Sequence, residues 1–236
     1  MFCNKSNLTI FSISHFLDLN WLYENEFIKL DFNFYCATDN SKNLNPQIKI
    51  LDYNDYAIPI GKYGKKVFTA EKIKLLSDER FYGTRALLLD LDLLILKDLT
   101  NYLNNFHPDK LALYESWWFD TKLFKRYYGK VTCRINSSFM YAYPQKVKII
   151  KEKLFNKNYD YYSLKFYSLD RTIQYNFLEH IEFDKDKKLL YSYSNSKNKN
   201  KLNYKVCIFN NSHGRGEDLH ELNNWASDYW KSYDWL

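Results

Sequence analysis

The chain has 236 residues, 46% of them hydrophobic and 26% charged, with only 6 Gly and 4 Pro. That balance excludes a collagen-like or disordered chain, and the length allows one large domain or two very small ones. The net charge of +6 admits nucleic acid, anionic lipid surfaces and phosphorylated small molecules as partners, but the basic residues are dispersed.

In chain order, LTIFSI at 8–13 is predicted as a strand, and 18–29 as a helix opening at Asp18 with Leu19, Leu22, Tyr23 and Phe27 at helical spacing. FNFYCAT at 32–38 is a second strand, closed by the turn-forming DNSKN. IKILDY is a short third strand, GKYGKK a basic loop, and 69–77 a helix. The run ALLLDLDLLIL at 86–96 is predicted as one central strand covered on both faces. KLALYES at 110–116 is another strand, followed by the aromatic cluster Trp117, Trp118 and Phe119. RINSSFMYAY at 134–143 is a strand, Pro144 opens a helix near 145–156, and 169–180 is helical. LLYSYS and KVCIFNN are late strands, and the tail NNWASDYWKSYDWL is aromatic and polar. Lys197, Lys199, Lys201 and Lys205, set among Ser and Asn, make a solvated loop.

Strands alternating with helices in the first half predict an α/β domain with a largely parallel sheet. Ligands of such sheets bind beyond the carboxyl ends of the strands. Ser12 and Ser14, Thr38 and Asp39, and Asp90 and Asp92 fall there. Cys3, Cys36, Cys133 and Cys207 form no C-x-x-C pair, which argues against structural zinc and for a reducing, cytoplasmic setting. The N-terminus has no long apolar core of a secretory signal, and no stretch is long and apolar enough to span a bilayer.

Asp90 and Asp92 are the most informative pair. A carboxylate inside an apolar run is costly unless it is paired or bound to metal. Residues two apart in a strand share a face, so the pair is expected to converge on one hard divalent cation, manganese or magnesium. A strand running into a turn, with both aspartates in water, is the plainer alternative; the apolar Leu93, Leu94, Ile95 and Leu96 that follow speak against it.

The segment KVFTAEKIKLLSDERFYGTRALLLDLDLLILKDL at 66–99, the strand INSSFMYAYP, the SLDRT segment and the late HGRG resemble a glycogenin-like nucleotide-sugar glycosyltransferase with a glycosyltransferase-A fold. The resemblance implies one α/β, Rossmann-like domain over 1–236, with a mixed, mostly parallel sheet and flanking helices. It places the donor half at about 1–100 and the acceptor half at about 101–236. It implies that Asp90 and Asp92 bind manganese and the donor, with His213 as third metal ligand. It puts Lys72 in the preceding helix facing the donor, with Lys74 as the alternative register. Asn136 and Ser137 match the family's Asn-Ser-Gly, with Ser138 in place of Gly; a strand with polar edge residues is an equal reading. Asp170 matches the Asp of the family's Asp-Gln motif, with Arg171 in place of Gln, and a helix N-cap is its plainer role. Gly216 fits the H-x-x-G spacing. The family's following Lys-Pro-Trp is missing, and Arg215 substitutes on chemical grounds for its diphosphate contact. Asn210 is a rival metal ligand.

The chemistry implied is transfer of a sugar from a nucleoside diphosphate donor, by default UDP-linked, to a glycan, lipid-linked or protein acceptor, with retention of configuration. Ser12 and Asp39 complete the donor set. If the reaction inverts instead, Asp170, Glu115 and Asp120 are the candidate bases. No nucleic-acid partner is expected, and peripheral membrane contact is admissible. Rival readings are a non-catalytic sugar-nucleotide or nucleic-acid binder, and a haloacid-dehalogenase-like phosphatase. The latter is disfavoured because its Asp-x-Asp lies in the first strand.

Overall fold

The structure, a computed structural model, describes residues 8–13, 28, 30–42, 44–90, 93–115, 133–183, 189–192 and 204–208. The helix predicted at 18–29 falls almost wholly outside the described residues, as do Ser14, the aromatic cluster after residue 116, Asp120 and the C-terminal tail.

Seven strands form the main sheet. In chain order they are β1 (Leu8–Ile13), β2 (Phe32–Thr38), β3 (Lys49–Asp52), β4 (Arg85–Leu89), then β6 (Leu111–Glu115), β7 (Ile135–Ala142) and β8 (Ile181–Phe183); β5 (Leu93–Ile95) intervenes in sequence but leaves this sheet. The spatial order is β3-β2-β1-β4-β7-β6-β8. The first four strands run parallel, β7 is antiparallel to both β4 and β6, and β8 is parallel to β6. This is the mixed, mostly parallel sheet expected of the sequence. A second sheet of three strands joins β5, β10 (Val206–Ile208) and β9 (Leu190–Ser192).

The apolar run at 86–96 is therefore not one strand. Its first half, β4, is central in the main sheet, and its second half, β5, pairs antiparallel with β10 in the small sheet. Asp90 stands in the break between them, outside either strand, and Asp92 lies outside the described residues. The strand predicted through Tyr53 ends at Asp52, whose carboxylate caps a 3-10 turn at Tyr53–Tyr56 by accepting from Asn54 N.

The described helices are α1 (Glu71–Leu76), α2 (Thr100–Asn105), α3 (Pro144–Leu154), α4 (Tyr159–Lys165) and α5 (Leu169–Asn176). Of these, α2 and α4 were not predicted, and the helix predicted at 169–180 breaks after Asn176 into a 3-10 turn at Leu178–His180. The period-two alternation of the strands sorts the core into two layers. Leu8, Ile10, Leu87, Leu89, Phe139 and Tyr141 pack with the small sheet and α2. Phe11, Ala86, Leu88, Met140 and Ala142 pack with α1, α3, α4 and α5. Each buried Leu of β4 contributes about 2 kcal/mol, which fixes the height at which Asp90 emerges.

The approach to α1 and the approach to α5 are tied together. Phe68 N donates to Tyr167 O at 2.8 Å, and Leu169 N donates to Phe68 O at 2.9 Å. A left-handed residue sits on each side of this bridge, Thr69 at φ 64° and Tyr167 at φ 62°. Each costs roughly 1–2 kcal/mol relative to a right-handed backbone. The bridge holds the first turns of two helices in register, and both carry candidate site residues.

Gly61 closes the basic loop against α4. A Cβ there would meet Ser163 Oγ at 2.6 Å and Asp160 Oδ1 at 2.9 Å. Gly61→Ala is expected to lower stability by about 1–2 kcal/mol through overpacking, measured as a drop in the chemical denaturation midpoint with an unchanged slope.

Candidate functional site

The site is built where β4 ends beside β7. Asp90 N donates to Ser138 O at 2.8 Å, which continues the ladder by one bond and pins the aspartate's backbone. The register between β6 and β7 shifts between Ala112 and Tyr114, an irregularity of the kind that re-aims side chains next to functional sites. Within it, Asn136 Oδ1 accepts from Ser138 N at 3.0 Å, and Ser137 is brought to the helical side of the sheet.

Lys72, in the first turns of α1, is 6% exposed and reaches this spot. Its Nζ lies 2.6 Å from Asp90 Oδ1 and 2.7 Å from Oδ2. It also donates to Ser137 O at 3.1 Å. A lysine on the otherwise apolar buried face of this helix needs such partners, because an unpaired buried ammonium is prohibitive. The rival Lys74 points elsewhere, donating to Ala57 O and lying over the Phe155 ring.

Asp170 enters from α5 on the other side of Ser137. It is not the helix cap: Ser168 is, its side chain accepting from Arg171 N at 3.4 Å, and Asp170 lies in the first turn. Burial pushes the Asp170 carboxyl above the ordinary carboxylate value, and the Asp90 charge pushes the same way. The Lys72 ammonium, and hydrogen bonds from the Ser137 hydroxyl and backbone amide, oppose that rise without cancelling it. One oxygen, Oδ1, is buried with no hydrogen-bond partner. Cys133 also lies close enough for the Asp170 charge to bear on it; its thiol is pushed up to about 12, mainly by burial.

The structure thus brings together Lys72, Asp90, Ser137 and Asp170, with Asn136 one residue away in β7. Ser12 sits at the carboxyl end of β1, buried, with its hydroxyl unpartnered. By the alternation of β1 its side chain belongs to the face of Leu8 and Ile10, opposite the helices. Asp39 is exposed beyond the end of β2, and its charge adds slightly to the rise in the Tyr53 pKa that burial and Glu71 cause. Glu115, at the end of β6, is exposed and lies 3.6 Å from Arg134. Asp92, Asn210, His213, Arg215 and Gly216 lie outside the described residues. Among the described residues no cluster of three or more His, Cys, Asp or Glu side chains forms a metal site. A cleft of about 520 Å³ opens away from this constellation, between the Tyr53–Tyr56 turn, α1 and α3, and its walls include Tyr56, Lys74, Arg80 and Lys151.

What sequence reading missed is the directness of the Lys72–Asp90 contact and the bridge that supports it. The signal for the first was present: a lysine at the position where the pattern of α1, with Ile73, Leu75 and Leu76, calls for burial. Nothing local announced the second.

Neither a family model nor a curated protein matches the sequence. Solved structures do match in fold. The galactosyltransferase LgtC, determined in complex with donor and acceptor sugar analogs, is 11% identical over 95% of this chain and 94% of its own, with a TM-score of 0.54. A glycosyltransferase involved in glycosylating the major capsid of PBCV-1 is 13% identical over 91% of this chain and 99% of its own, at 0.51. Mouse xyloside xylosyltransferase 1 in its apo form is 10% identical over 86% and 98%, also at 0.51. The chain shares the glycosyltransferase-A fold of these structures.

Proposed function

We propose that this chain is a metal-dependent glycosyltransferase. It moves a sugar from a nucleoside diphosphate donor, with UDP as the nucleotide, to a hydroxyl of a glycan, lipid-linked or protein acceptor, with retention of configuration. The observation that carries the reading is the buried Lys72 ammonium held between Asp90 and Ser137, with Asp170 against the same serine, at the carboxyl edge of the parallel strands.

The groups present fit a divalent cation. Lys72, Asp90 and Asp170 carry one uncompensated negative charge when ionised, and Asp170 Oδ1 is a buried oxygen with no partner. Carboxylate oxygens suit manganese or magnesium. Asp90, with Asp92 and His213, would hold the ion, Asn210 being the alternative to His213. When bound, it would neutralise the charge that grows on the departing diphosphate.

The chain's own residues do the rest. Lys72 supplies a fixed, desolvated positive charge beside the diphosphate, and Arg215 and Gly216 add a second contact to it. Asn136 and Ser137 hydrogen-bond sugar hydroxyls. Asp170 stands next to the anomeric carbon, where its charge opposes the positive charge developing on the ring. Ser12 and Asp39 face the nucleoside part of the donor. Holding donor and acceptor together supplies much of the remaining acceleration.

A thermal-shift panel of nucleotide sugars, run with and without manganese, tests the reading. A UDP-sugar at a hundred times its Kd should stabilise the chain by about 3 kcal/mol in manganese and far less without it. No stabilisation by any nucleotide sugar would remove the proposal. Asp92→Ala is expected to lose the manganese-dependent part of donor affinity in calorimetric titration while unfolding at the wild-type temperature.

A further inference from the structure

Large apolar side chains scattered singly over a surface carry no message. Here they gather. The loop 58–68 and helix α4 with its following residues lie side by side and are pinned along their length. Tyr159 Oη donates to Pro59 O at 2.8 Å, Lys62 N donates to Asp160 Oδ1 at 2.7 Å, Val67 N donates to Tyr159 Oη at 3.2 Å, and the Phe68–Tyr167 bond follows. The loop closes on itself through Gly61 N to Lys65 O at 2.7 Å. On this rigid corner Ile60 is 66% exposed, Tyr63 60% and Phe68 62%, and Tyr161, Leu164 and Tyr167 are exposed beside them. Helix α4 buries Tyr159, Tyr162 and Ser163 on one face, yet its opposite face presents Tyr161, Leu164 and Lys165 at i, i+3 and i+4.

Lysines are threaded through these rings. Lys62 Nζ lies 6.0 Å from the centre of the Tyr63 ring, Lys65 Nζ 5.8 Å from that of Tyr167, and Lys165 Nζ 5.1 Å from that of Tyr161. Lys66 is exposed in the same loop. None of the four makes an ion pair among the described residues. The one carboxylate of the corner, Asp160, is engaged by the Lys62 backbone amide.

We propose that this corner docks on an anionic lipid bilayer surface. Tyrosine rings with polar tips, two protruding aliphatic side chains and long-stemmed ammoniums are the chemistry of the membrane interface, where apolar bodies sink to the headgroup boundary and lysines meet lipid phosphates. A second copy of the chain is a poor occupant, since a two-fold contact would set these uncompensated lysines against each other. A soluble glycan is a poor occupant too, because the corner offers almost no free carboxylate or amide to its hydroxyls. The docked corner lies within four residues of Lys72 and three of Asp170, so the bilayer would hold the candidate site at the surface where a lipid-anchored acceptor resides.

The test is pelleting of the full chain with vesicles, either phosphatidylcholine alone or an equal mixture with phosphatidylglycerol. Binding is expected to the mixed vesicles, to weaken as salt rises, and to be slight on phosphatidylcholine alone. The triple variant K62Q/K65Q/K66Q should bind the mixed vesicles about a hundredfold more weakly. The double variant Tyr63→Ser, Phe68→Ser should also weaken binding, and both should unfold at the wild-type temperature. Wild-type protein that ignores anionic vesicles, or variants that bind them as well as wild type, would overturn the proposal. So would sedimentation showing that the corner forms a dimer in place of vesicle binding, or its occupation by a soluble glycan alone. Vesicle binding is measured without donor or turnover, so its failure leaves the transferase reading standing, and the converse holds as well.

Discussion

Lys72→Met is expected to reduce sugar transfer by about a thousandfold and to destabilise the fold by about 2 kcal/mol. Met keeps the apolar stem that packs in α1, so the change isolates the charge. Loss of the ammonium leaves Asp90 and Asp170 on either side of Ser137 with no cation to offset their mutual repulsion. Removing one partner of a fully buried pair costs roughly 3–5 kcal/mol; the cost here falls below that range, to about 2 kcal/mol, because the Asp90 side chain is 25% exposed and water reaches it. Urea denaturation gives the stability change and steady-state assay the rate. The double variant Lys72→Met, Asp90→Asn should recover most of the lost stability and none of the lost turnover, because neutralising Asp90 removes the unpaired charge without restoring a cation for the diphosphate. A double variant as unstable as the single would show that Lys72 acts through packing.

Asp170→Asn is expected to act in opposite directions on stability and activity. Turnover should fall about a hundredfold, because the charge opposing the developing positive ring is gone. Stability at neutral pH should rise by about 1 kcal/mol, since the variant no longer carries a buried carboxylate with an unpartnered oxygen. The pH dependence distinguishes this from a general packing effect. Burial raises the native pKa of Asp170 above its unfolded value, so the folded state keeps the proton to higher pH than the unfolded chain. Stability from this group is fully present below the unfolded value of about 3.9 and is lost as pH rises through the native pKa. Asn has no proton to lose. The advantage of the variant should therefore be absent in acid, grow across that window, and be complete above it. An advantage that is constant with pH would assign the effect to something other than the charge.

The strands at 8–13 and 32–38 were legible to the residue because each is a short, largely apolar run with polar residues beyond its ends in the sequence. Helix α3 was legible from Pro144, which opens it, and its Val147, Ile150 and Leu154 turn to the core. Helix α4 was not, because its exposed face is nearly as apolar as its buried one and the 3.6-residue contrast is lost. The break in the apolar run at Asp90 was invisible for a related reason. β5 is as leucine-rich as β4, and only its pairing with β10, more than a hundred residues on, takes it into another sheet.

The candidate site divides the same way. Residue chemistry by itself nominated Asp90 together with Asp92, because a carboxylate inside an apolar run needs a partner wherever the chain goes, while Lys72, Ser137 and Asp170 were only what the family resemblance implied. It could not choose between Lys72 and Lys74, nor tell a capping aspartate from an inward-facing one. Those choices were made by the packing of α1 against β1 and β4, by that of α5 against β7, and by the Phe68–Ser168 bridge that aligns their first turns. Periodicity and the cost of buried charge are local properties, written in neighbouring residues. Which buried charge meets which depends on the placement of segments far apart in sequence, and that is settled only when the sheet and its helices close on a common core.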